Sequence, residues 1–145
     1  MKKLLVRTLF FGILLLSASL ASAATLTSMG KNDVITAFSD KTFSTIPAVT
    51  FNKNVVNNTF TGYFSKDGTT KGKLKNKPDN DPQEDSGVWS VSDDGVMSVK
   101  WDHWNSNKEI QVNLYQLENG ILIINSQRGF ETLVLDKDMR SGDSM

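Results

Sequence analysis

The chain's single histidine, His103, sits in "WDHWN" between Trp101 and Trp104. An imidazole offers one donor and one acceptor, and an indole adds a flat apolar body with an N–H. Side by side in a loop, the two form the kind of pair from which binding sites are built. His103 and Trp104 are therefore the candidate ligand-binding residues. The competing role for Trp104 is to fold back and cap one end of the domain.

Catalysis is harder to assemble. His103 has no cysteine partner, and no G-x-S-x-G elbow exists. Ser98 is near in sequence but falls on the outer face of its strand in the register derived below, whereas His103 is expected to follow Trp101 inward. Asp93 and Asp94 belong to a turn, and glycosidase chemistry needs two carboxyls across a cleft that sequence does not locate. No catalytic residue is assigned, and the protein is not expected to be an enzyme.

Metal chemistry is similarly limited. With no cysteine and one histidine, thiolate sites and multi-histidine sites are excluded. Asp79, Asp81 and Asp85 in "DNDPQED" could gather calcium, but an EF-hand needs a turn glycine and a distant bidentate glutamate. Pro82 and the missing glycine argue for a mobile acidic loop instead. No metal and no cofactor is expected. Lys71, Lys73, Lys75 and Lys77 recur with period two, a cationic stripe along one solvated strand face that also protects a sheet edge. No aromatic interleaves with them, and no nucleic-acid partner is expected.

The segments that must position these residues begin with an export signal. "MKKLLVRTLFFGILLLSASLASA" has a basic start, an apolar run from Leu9 to Leu16 and small residues ending in Ala21-Ser22-Ala23. That order is a secretory signal peptide, with cleavage expected after Ala23. The apolar run is shorter than the ~20 residues of a spanning helix. Residues 24–145 then form one domain carrying 13 basic and 16 acidic residues, soluble, periplasmic or secreted, with no membrane insertion. A monomer is expected. Without disulfides, packing and backbone pairing must hold it.

Within that domain Thr25–Ser28 reads as loose. "NDVITAF" reads as a short helix, with Asn32 as N-cap and Val34, Ile35 and Phe38 on one side. From Thr42 onward β-branched and aromatic residues alternate with Asn, Asp, Gly and Ser. Candidate strands are Thr42–Ile46, Val49–Asn54, Thr59–Ser65, Thr70–Asn76, Val88–Ser92, Val96–Asp102, Glu109–Leu117, Ile121–Ser126 and Glu131–Leu135.

Two turns share a pattern, "SKDGT" and "SDDGV". A two-residue loop at Asp94-Gly95 would put Lys100 on the face of Trp89 and Val91. A three-residue loop, Asp93-Asp94-Gly95, sets Trp89 against Val99 and Val91 against Met97, with Trp101 on the same face. A slip of one residue swaps faces, so burial selects the three-residue loop, with Gly95 left-handed. The same argument pairs Phe64 with Thr70 and Phe60 with Leu74, leaving Lys71, Lys73 and Lys75 outside. In the third hairpin, "LENGI", the apolar phase flips between Leu114 and Tyr115. Either a bulge lies there or both faces are covered.

The fold class is thus all-β: an antiparallel up-and-down meander of about eight strands, a small barrel or sandwich, with the short helix plugging one end or packed outside. Trp89 and Trp101 are assigned to the core, where two buried indoles contribute several kcal/mol at about 25 cal/mol per Å².

The strings "YFSKDGTTKGKL", "SGVWSVSDDGVMSVKW" and "LYQLENG" resemble, in order and spacing, a family of small exported proteins of Gram-negative bacteria known only as a domain of unknown function. The resemblance spans roughly Val34 to Gly120 and rests on "YF…DG" and "G-x-W-x-V-x-x-D-G" hairpins. Members often carry a cysteine where this chain has Ser98. The resemblance implies periplasmic or secreted placement and assigns no activity. Two functions fit. One is a binding module holding a small apolar or amphipathic ligand in the barrel or at the end near His103 and Trp104. The other is an interaction protein, such as an inhibitor of an exported hydrolase or an envelope component, reaching its partner through Ala24–Lys31 or Lys77–Ser86.

Overall fold

The computed structural model describes residues 25–46, 59–75, 82–126 and 131–145. The expected signal peptide and the candidate strand Val49–Asn54 lie outside the described residues.

The architecture is the expected antiparallel meander. In chain order the elements are β1 (Leu26–Ser28), α1 (Lys31–Phe38), β2 (Lys41–Ser44), β3 (Phe60–Phe64), β4 (Thr69–Leu74), β5 (Glu84–Val91), β6 (Met97–Trp101), the 3-10 turn η1 (Trp104–Asn107), β7 (Ile110–Leu117), β8 (Ile121–Ser126), β9 (Glu131–Leu135), η2 (Asp136–Asp138) and β10 (Arg140–Ser141). Strands β2 to β9 pair in sequence order, and β10 returns to pair with β2. Ile46 also bridges Leu133, its N–H donating to the Leu133 carbonyl at 2.8 Å. The sheet thus curls into a half-barrel that brings β10 beside β2 and Leu133 of β9 against Ile46.

Three hairpins use one turn. In each, three residues connect the strands and the third is a glycine with positive φ: Gly68 at 88°, Gly95 at 82° and Gly120 at 79°. Each of these N–H groups donates to the carbonyl three residues back: Ser65, Ser92 and Leu117. The left-handed region costs an L-residue a Cβ–carbonyl clash that glycine escapes. The resulting registers are those read from the sequence, with Trp89 opposite Val99, Val91 opposite Met97, Phe64 opposite Thr70 and Phe60 opposite Leu74. Trp89 and Trp101 are buried, and Lys71, Lys73 and Lys75 are exposed.

The third hairpin resolves the phase flip at Leu114. The β7–β8 ladder runs unbroken from Val112–Ser126 to Gln116–Leu122, without a bulge. Both sheet faces are apolar there. Leu114, Leu122 and Val134 are buried inside, while Tyr115, Leu117, Ile121, Ile123, Leu133 and Leu135 are half-buried on the other side.

Two readings of the N-terminal part are corrected. Leu26–Ser28 is not loose: it pairs as a strand with Tyr115–Leu117 where β6 no longer covers β7. The helix is capped by Gly30, two residues earlier than Asn32 would place it. Asp33 explains the shift, because its carboxylate accepts the Gly30 N–H at 3.0 Å and so satisfies a donor at the helix start.

Side chains fill the interior. Phe38 and Val34 carry α1 onto the end that bears the 66–68 and 93–95 turns, with the Phe38 ring edge-on to Phe43 at 5.0 Å. Toward the opposite end lie Phe60, Trp101 and Trp104, the two indoles 4.9 Å apart. Room for them comes from Gly62 and Gly72, which pair across β3 and β4 with their absent side chains inward. A Cβ on Gly72 would lie 2.6 Å from Trp101 Cη2 and 2.8 Å from Trp104 Cζ3.

Candidate functional site

The site is built at the corner where β6 gives way to β7. Here Asp85, expected in a mobile acidic loop, is a buried residue of β5, its side chain 1% exposed. The candidate strand beginning at Val88 extends back to Glu84, because β5 pairs with β4 as far as Lys73–Glu84. Asp85 faces the same side as Gly72 and Trp89. Its companions in the acidic segment, Asp79 and Asp81, lie outside the described residues.

A buried carboxylate is costly unless its lone pairs are met by donors. Three backbone N–H groups and one imidazole nitrogen converge on this one. Oδ2 accepts the N–H of His103 at 2.9 Å and of Trp104 at 2.8 Å, while Oδ1 accepts the Ser86 N–H at 2.9 Å and lies 2.9 Å from His103 Nδ1. Burial alone would push the Asp85 carboxyl up; the imidazole and the three backbone N–H groups outweigh it and hold the group below the ordinary aspartate value. Asp85 thus fastens the start of the corner and aims the histidine ring.

Beyond Trp104 the chain turns left-handed. Asn105, Ser106 and Asn107 all have φ of 56°, a conformation costing L-residues roughly 1–2 kcal/mol each. Asparagine tolerates it best, and both asparagines tie the loop down. Asn105 Nδ2 donates to the Lys108 carbonyl at 2.8 Å and Asn107 Nδ2 to the Trp101 carbonyl at 3.0 Å. Three successive residues held there mark a segment whose shape is imposed by its surroundings.

The two predicted site residues part company. His103 does not follow Trp101 inward; its side chain is 69% exposed, because Asp85 occupies the inner position and draws Nδ1 toward itself from the rim. Trp104 turns into the core, 5% exposed, its ring tilted against that of Trp101, and donates its indole N–H to the Pro82 carbonyl at 2.7 Å. It caps the end of the fold, so the indole lies beneath the site rather than in it.

His103 opens onto a cleft of about 460 Å³, with Lys71, Gly72, Pro82, Glu84, Asp85, Ser86, Asp102 and Met145 around it. The C-terminal residues form one wall. Ser144 N–H donates to Thr42 Oγ1, and Asp143 pairs with Lys71. Across the cleft Glu84 pairs with Lys73. A second, smaller cleft of about 170 Å³ lies between Ile35 of the helix and Trp89. Among the described residues no group of three or more His, Asp or Glu could hold a metal ion. No helix among them is long and apolar enough to cross a membrane.

Sequence reasoning named His103 as a candidate but did not place Asp85 beside it. The signal was present in the pairing of β4 with β5, which puts residue 85 on the inward side; reading 77–86 as loop concealed it. The segments proposed as protruding are likewise partly structured, since Leu26–Ser28 and Glu84–Ser86 are paired strand. Compared with protein-family models, curated proteins and solved structures, the chain matches none, so the kinship suggested by its hairpins rests on those motifs alone.

Proposed function

We propose that the protein is an exported binding module that takes a small amphipathic ligand in the cleft beside His103. One observation carries this reading: an exposed, firmly oriented imidazole stands over a cleft of about 460 Å³ that also offers Pro82, Gly72 and Met145 as apolar lining. That volume is in the ordinary range for small-molecule sites, which combine apolar lining with a few fixed polar groups. Core aromatics occupy the barrel interior, which favours binding at the mouth over binding inside. The basic, apolar and A-x-A order of residues 1–23 supports export to the periplasm or beyond.

Native mass spectrometry of protein purified from its own periplasm tests the reading. A retained small molecule is expected, lost when Ser86→Trp fills the cleft from its exposed wall. Protein that carries no added mass, or a Ser86→Trp variant that keeps it, overturns the proposal.

A second reading, an interaction protein such as a hydrolase inhibitor or envelope component, is favoured by a different observation. Leu26, Leu117, Ile121 and Leu135 form one row across β1, β7, β8 and β9, and Tyr115, Ile123, Leu133 and Ile46 form the next. Leu26 and Ile46 are exposed. A sheet face of this composition suits a protein partner. Ile123→Lys should then abolish partner capture while leaving ligand retention intact.

A further inference from the structure

We propose that the cleft selects an organic cation, a primary ammonium on an apolar body, and that the Asp102 carboxylate receives the ammonium. This deepens the binding reading above and rests on it.

The charges around the cleft do not balance. Asp102 is exposed and lines it. The residue's backbone is fixed, its N–H donating to the Ser86 carbonyl at 2.9 Å and its carbonyl accepting Asn107 Nδ2 at 3.3 Å. Its carboxylate, however, forms no ion pair with any described residue. Lys71 stands on the other side of Ser86, its partner in the β4–β5 ladder. Two strand spacings, roughly 10 Å, therefore separate the backbones of Lys71 and Asp102. Lys71 is engaged by Asp143 in the C-terminal wall, and Lys73 is engaged by Glu84. Lys100 shares β6 with the approach to Asp102 but lies outside the cleft lining, and no ion pair joins the two.

Asp85 is also ionised at neutral pH, since its carboxyl lies below the ordinary aspartate value. The carboxylates of Glu84, Asp85, Asp102 and Asp143 thus face the ammonium groups of Lys71 and Lys73. The excess stays negative whether His103 is neutral or carries a proton. A concave wall focuses such a field and draws cations to it. Among the described residues no group of three His, Asp or Glu gathers as a metal ion requires, and Pro82 and Met145 suit an apolar body instead. An ammonium brings N–H donors that a carboxylate accepts in short, charge-assisted bonds.

Titration of the intact protein, followed by ¹⁵N NMR at the backbone amides of Ser86, Asp102 and His103, reads the cleft. Benzylammonium, benzyl alcohol and benzoate present the same ring with different charge. Benzylammonium should half-saturate the shifts at about tenfold lower concentration than benzyl alcohol, the difference one charge-assisted hydrogen bond makes. Benzoate should bind most weakly. Asp102→Asn keeps the backbone bonds of residue 102; it should bring the ammonium level with the alcohol and leave the alcohol titration unchanged. Glu118→Gln removes an equal charge at the other end of β7 and should leave the preference intact. An alcohol that binds as tightly as the ammonium overturns the inference while the binding reading stands, and so does an Asp102→Asn protein that keeps the preference. Equal losses in Asp102→Asn and Glu118→Gln overturn it too, because net charge alone would then account for the selection. If none of the three probes moves a cleft amide, the binding reading itself fails and the inference with it.

Discussion

Gly62 faces Gly72 across β3 and β4, and the inward space their missing side chains leave is filled by the rings of Phe60, Trp101 and Trp104. A strand glycine gives up side-chain packing and backbone entropy. Here the return is that two indoles rest directly against the backbone. Gly72→Ala would bring a methyl to within 2.8 Å of all three rings. Overpacking of this kind costs about 1–3 kcal/mol. Denaturant unfolding should show a loss in that range, together with a changed tryptophan emission, since two of the three indoles must move.

The hairpin glycines give a graded prediction. Gly95 and Gly120 share the left-handed conformation, so Ala at either position incurs backbone strain of about 1–2 kcal/mol. Their surroundings differ. A Cβ on Gly95 would collide with the Met29 carbonyl oxygen, whereas on Gly120 the nearest atom is Asp136 Cβ at 3.9 Å. Gly120→Ala should therefore lose about the strain alone, and Gly95→Ala clearly more. Equal midpoint shifts in parallel urea titrations would contradict the packing of β1 and α1 onto that turn.

This contrast also marks what the sequence made legible. Hairpin register is local: Asp-Gly with three connecting residues, plus alternating Trp89, Val91, Met97 and Val99, leaves one solution that buries apolar groups. The same reasoning carried to Leu117–Ile121 would have found the third turn, had the apolar outer face of β8 not blurred the alternation. Asp85 was hidden for the opposite reason. Its partners are backbone N–H groups of residues 103 and 104, which no pattern of side chains announces. Pairing of Leu26–Ser28 with β7 was hidden likewise, because a three-residue strand has too little period to read. His103 was legible as a candidate by its rarity, but its outward direction was not, since Asp85 sets it.

The carboxylate of Asp85 makes stability depend on acid. Its folded pKa lies below the ordinary aspartate value, so the folded state prefers the charged form more than the unfolded chain does. The contribution is then fully present above the ordinary value and is lost as pH falls from there through the lower folded one. Asp85→Asn should remove this part of the acid limb and cost about 1–3 kcal/mol at neutral pH, because an amide has one acceptor oxygen where the backbone N–H groups of Ser86, His103 and Trp104 are met by two. Thermal unfolding of both proteins from neutral pH into the acid range measures it. The two curves should converge as pH falls; curves that stay parallel would mean that Asp85 is not the group being titrated.

Trp104 separates a capping role from a contact with ligand. Its ring lies 4.9 Å from Trp101 and 6.4 Å from Phe60, and its N–H reaches the Pro82 carbonyl, so its neighbours are all parts of the fold. Trp104→Ala should cost about 3–5 kcal/mol, as large aromatic truncations in cores do. Trp104→Phe keeps most of the packing but strands the Pro82 carbonyl, and about 1–2 kcal/mol is expected. His103→Ala removes a ring whose side chain is 69% exposed, and its stability loss should be smaller than that of either Trp104 variant. Ligand retention should rank the other way, lost in His103→Ala and kept in Trp104→Phe. Such a reversal between the two readouts would place recognition on the imidazole and support on the indole beneath it; the same ranking in both would mean that the corner acts only as a structural clasp.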